Sequence, residues 1–65
     1  MQIREHRGFN ITVHDSGKGY VSEIYRKGKL IHTVHNENGH EWFHNHALAM
    51  EAARDWIDRT YPPAK

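Results

Sequence analysis

The chain has 65 residues, with nine Lys or Arg against eight Asp or Glu, seven histidines and no cysteine. A chain this short forms one domain and buries only about 60% of the surface its unfolded form exposes, and without cysteine it has neither disulfides nor thiolate metal sites. A formal net charge of +1 and a pI near 8.2 fall short of the strongly basic balance of a dedicated nucleic-acid binder.

The opening "MQIREHRGFN" carries no apolar run of the kind a signal peptide needs. No stretch approaches the ~18 apolar residues of a spanning helix. The expectation is a cytoplasmic protein with no membrane partner. The first 35 residues are weakly basic and the remainder weakly acidic.

The first predicted element is "FNITVH", which alternates Phe9, Ile11 and Val13 with Asn10, Thr12 and His14. That period of two predicts a strand with one buried face. "DSGKG" follows as a turn. "YVSEIYR" is rich in aromatic and β-branched residues and predicts a second strand over 20–26. In "RKGK", Gly28 supplies the positive φ that a tight hairpin requires. "LIHTVH" predicts a third strand over 30–35, closed by the turn "NENG". The segment "HEWFH" (His40 to His44) has the composition of a short fourth strand, but at four or five residues it reads as a loop.

Asn45 suits a helix N-cap, because its side-chain oxygen can accept from the first free N–H groups. Beyond it, Ala49, Ala52, Ala53, Trp56, Ile57 and Thr60 share one stripe at helical spacing. Arg54–Asp58 and Asp55–Arg59 have the spacing of opposite-charge pairs on the outer face. Two prolines in "YPPAK" end the helix. The loops are too short for parallel crossovers. The expected fold is therefore α+β, one domain over 1–65. It is a three-stranded antiparallel meander sheet followed by one C-terminal amphipathic helix, β-β-β-α.

Three histidines, His40, His44 and His46, are the candidates for a metal site. Their spacing forces no shared side of a strand or helix, so no metal and no other cofactor is expected. The sequence has no Gly-x-Ser-x-Gly elbow, no phosphate-binding loop and no cysteine nucleophile. No catalytic residue is assigned, and the expectation is a protein that is not an enzyme.

Two binding readings follow. The first is a non-catalytic interaction or regulatory module for a protein partner, including a second copy of the chain. One helix covers one sheet face, which leaves Tyr20, Ile24, Trp42 and Phe43, with Leu30 or Val34, for an interface. The alternative is weak nucleic-acid binding through the Arg26–Lys29 hairpin, using Arg4, Arg7, Arg26, Lys27, Lys29, Tyr20 and Tyr25.

The segments "GFNITVH" and "GYVSEIY", with the helix "ALAMEAARDWID" after the last loop, resemble small bacterial β-β-β-α proteins. As a pattern they are also similar to the partial double-stranded-RNA-binding-like fold of HicB-type antitoxins. Those proteins carry an acidic Leu-Pro-Gly segment after the second strand, where this chain has "RKGK". The resemblance implies a fold and carries over no functional residue.

Overall fold

The sheet has four strands where the sequence pattern predicts three. In the computed structural model, which describes residues 2–63, the elements are β1 (Gln2–His6), β2 (Phe9–Asp15), β3 (Tyr20–Arg26), β4 (Lys29–Thr33) and α1 (His46–Thr60). The strands lie in the order β1-β2-β3-β4, all antiparallel.

The additional strand β1 arises from a turn that the chain uses twice. Arg7 and Gly8 have φ of 54° and 88°, and Lys27 and Gly28 have φ of 53° and 81°. Two successive positive φ values define the tight hairpin turn whose twist matches that of its flanking strands. β1 gives little hydrophobic signal because its chain alternates Ile3 and Glu5 with Arg4 and His6. Ile3, its one apolar branched residue, is 62% exposed.

Pairing Ile11 with Ile24 and Val13 with Ser22 puts all four on the face that α1 covers. The core comprises Phe9, Ile11, Val13, Ile24, Val34, Ala49, Met50, Ala53 and Ile57. Ile24 and Val34, expected on the uncovered face, are buried under the helix. Met50 completes the helix stripe, and Thr60 is exposed at its end. The alanines let α1 approach β2 and β3 closely, and Trp56 packs at the margin of this core.

Asn45 caps α1 as its sequence position predicts, its Oδ1 accepting from the Leu48 N–H at 2.8 Å. The expected pairs Arg54–Asp58 and Asp55–Arg59 do not form. Asp58 instead accepts from Arg7 at 2.9 Å and from His6 at 3.0 Å. The Arg59 Nε donates to the Asp55 backbone carbonyl at 3.4 Å. The helix C-terminus is thereby tied to the β1–β2 turn, while its N-terminus lies near Tyr20, which packs edge-on to His46.

Between β4 and α1 the chain makes a loop organised by Asn36. Its Oδ1 accepts from the N–H groups of Asn38 and His40, and its Nδ2 donates to the Trp42 carbonyl at 2.8 Å. The loop returns to the sheet at Phe43, which exchanges two 2.8 Å backbone hydrogen bonds with Tyr20. Gly19 permits that approach, because a Cβ there would lie 2.5 Å from the Phe43 carbonyl oxygen. No helix among the described residues is long and apolar enough to cross a membrane.

Candidate functional site: a channel between a sheet edge and the helix

The helix lies over β2 and β3, and β4 extends beyond it. This offset opens a channel of about 1070 Å³. One wall is β4 and the loop after it, with His32, Val34, His35, Glu37 and Asn38. The other wall is α1, with Leu48, Glu51, Ala52, Asp55, Trp56 and Arg59. A second cleft of about 510 Å³ lies on the opposite flank of α1, against β1.

The channel floor is aromatic. His32 lies on Trp56 with ring centroids 4.2 Å apart and planes 8° from parallel. His35 meets His32 edge-on at 6.2 Å. Burial of the His32 ring, and secondarily its neighbour His35, holds its pKa below the ordinary histidine value. His32 therefore stays neutral near pH 7, which suits a ring stacked on an indole.

The channel rim is acidic. Glu37, Glu51 and Asp55 are exposed, and none has an ion-pair partner among the described residues. Asp58 is already engaged by His6 and Arg7, whose hydrogen bonds lower its carboxyl pKa from the ordinary value. Leu48, 46% exposed, adds an apolar patch at one end. Among the described residues β4 is hydrogen-bonded to β3 on one side only. Val34 N–H donates to the Ser22 carbonyl at 3.0 Å. In an antiparallel ladder successive amides point to opposite edges, so Thr33 N–H faces outward.

The residues assigned to nucleic acid from sequence gather only in part: Arg7, Arg26, Lys27 and Lys29 lie at the β1–β2 and β3–β4 turns, which share one end of the sheet, with Tyr20 at the opposite end of β3. Arg4 lines the smaller cleft beside β1. Arg7 is bonded to Asp58. The Arg26 guanidinium sits 5.0 Å above the Phe9 ring. Lys27 and Lys29 are exposed at the β3–β4 hairpin. Tyr25, paired with Asn10, is on the face away from the helix, and Tyr20 packs against the core.

Of the residues assigned to a partner interface, Ile24 is fully buried and offers no surface. Phe43 lines the channel while also packing on the core. Trp42 stacks on His40, at 5.5 Å and 7°, and meets His44 edge-on. The Trp42 ring is thus in contact with both His40 and His44. His46 turns to Tyr20. Among the described residues no three His, Asp or Glu side chains converge on a metal position.

His32, Glu51, Asp55 and Leu48 carried no functional assignment in the sequence. A signal was present, since Leu48, Glu51, Ala52, Asp55 and Arg59 recur at intervals of three and four and so form one helix face. What that face meets depends on where β4 lies. Comparison with protein-family models, with curated proteins and with solved structures gives no match.

Proposed function

We propose that this protein is a small non-catalytic interaction module for a protein partner, and that the channel between β4 and α1 is its recognition surface. The observation that carries this reading is the coincidence of the larger cleft with an unpaired strand edge. An exposed edge is a template for another strand, and a neighbouring concavity supplies side-chain pockets. The half-exposed Leu48 and the His32–Trp56 stack give apolar and aromatic contact. The alternative nucleic-acid reading has Arg7, Arg26, Lys27 and Lys29 at the two turns that share one end of the sheet, but two of these four are engaged, Arg7 by Asp58 and Arg26 by Phe9.

Selection from a displayed library of random linear peptides tests the reading. Enriched peptides are expected to shift the backbone amide resonances of residues 32–38 and of 48, 51, 52 and 55. Absence of enrichment, or shifts confined to the opposite sheet face around Ile3 and Tyr25, would count against it.

A further inference from the structure

We infer that the occupant of this channel is an extended polypeptide segment that joins β4 as a fifth strand and carries Lys or Arg at alternate positions. The inference rests on the interaction-module reading and adds both the mode of binding and the chemistry of the partner.

Among the described residues β4 has one hydrogen-bonded neighbour, β3, and an open outer side. The outward Thr33 N–H follows from the inward Val34 N–H. A strand added there would lie ~4.8 Å beyond β4. Its side chains would alternate between the two faces of the sheet, and every second one would enter the channel beside α1.

The chemistry of the channel then selects those side chains. Three exposed carboxylates, on Glu37, Glu51 and Asp55, stand at its rim without ion-pair partners among the described residues. One guanidinium, that of Arg59, lines the same space, and its Nε is turned to the Asp55 carbonyl. Its floor is the His32–Trp56 stack, and His32 is held neutral by burial. A Lys or Arg side chain fits this arrangement along its whole length. Its methylene stem lies on the aromatic floor and its charged head reaches the carboxylates. An acidic segment would meet uncompensated like charge.

Short capped peptides of alternating Lys and Val, of alternating Glu and Val, and of alternating Lys and Val with every second amide N-methylated test both parts. The full chain, labelled with nitrogen-15, is titrated with each. The Lys-Val peptide is expected to bind saturably and to shift amides in β4 and along residues 48–55. The Glu-Val peptide is expected to bind about tenfold more weakly or not at all, as is the N-methylated one.

Glu51→Lys combined with Asp55→Lys changes exposed positions only. It is expected to leave the unfolding curve in place and weaken Lys-Val binding roughly tenfold. Equal affinity for the Glu-Val peptide at the same amides would overturn the basic partner and leave the channel reading intact. Undiminished binding of the N-methylated peptide would overturn strand addition. If no peptide shifts the channel amides, the inference and the channel reading both fall. β4 amides already protected in a dimer of the free protein would make the occupant a second copy and would overturn the proposal.

Discussion

The His32 imidazole lies flat on the Trp56 indole, 4.2 Å between centroids. This contact joins β4 to α1 across the channel and makes up its floor. Because burial and His35 lower the His32 pKa, the unfolded chain binds this proton more readily than the folded one. The stabilisation is complete above the ordinary histidine value of about 6.5. It is lost as pH falls from there to the lower folded value, and is flat below it. Urea unfolding at a series of pH values should show this loss, and His32→Phe should shrink it. An identical pH dependence in wild type and variant would show that His32 is not its source.

Ser22 sits in the covered face opposite Val13, fully buried, and its hydroxyl has no hydrogen-bond partner among the described residues. An unsatisfied buried hydroxyl costs free energy that an alanine avoids. Ser22→Ala should therefore raise stability by about 1 kcal/mol, read from the midpoint of denaturant unfolding. A loss of that size would mean the hydroxyl is satisfied in solution.

Gly19 is needed for space, not for a positive φ, since its missing Cβ would press on the Phe43 carbonyl. That carbonyl is fixed by its hydrogen bond from Tyr20. Gly19→Ala should cost about 1–3 kcal/mol by forcing backbone apart. It should also loosen the 36–45 loop, visible as faster exchange of the Phe43 amide. Unchanged stability and exchange would contradict the close approach.

The sequence made the helix and its Asn45 cap legible because periodicity and capping are local, and α1 runs over 46–60 as the pattern predicts. β2 and β3 were legible for the same reason. β1 was not, because a strand at the edge of a sheet need not carry an apolar face, and Arg4, Glu5 and His6 erase the alternation. The turn that creates it was present, since "HRGF" repeats the basic-residue-then-glycine pattern of "RKGK". The sorting of β3 and β4 faces was also hidden. Ser22 lies on the buried face and Val21 and Tyr25 on the other, so composition alone points either way. The channel is a product of tertiary offset between α1 and β4, which no local pattern encodes.

The histidine-rich loop should show no tight metal site. Trp42 packs against both His40 and His44, and among the described residues no three His, Asp or Glu side chains converge. Calorimetric titration with zinc at neutral pH should give at most weak heats without a defined stoichiometry. A one-to-one site of sub-micromolar affinity, lost on His44→Ala, would contradict that geometry.

Strand addition requires the outer amides of β4 to be free in the unbound protein and bonded in the complex. Hydrogen exchange at the Thr33 amide, with and without a saturating Lys-Val peptide, tests this most directly. That amide should exchange rapidly in the free protein and slow markedly in the complex, as ladder amides do. An amide that exchanges at the same rate while the peptide is bound would contradict strand addition at β4.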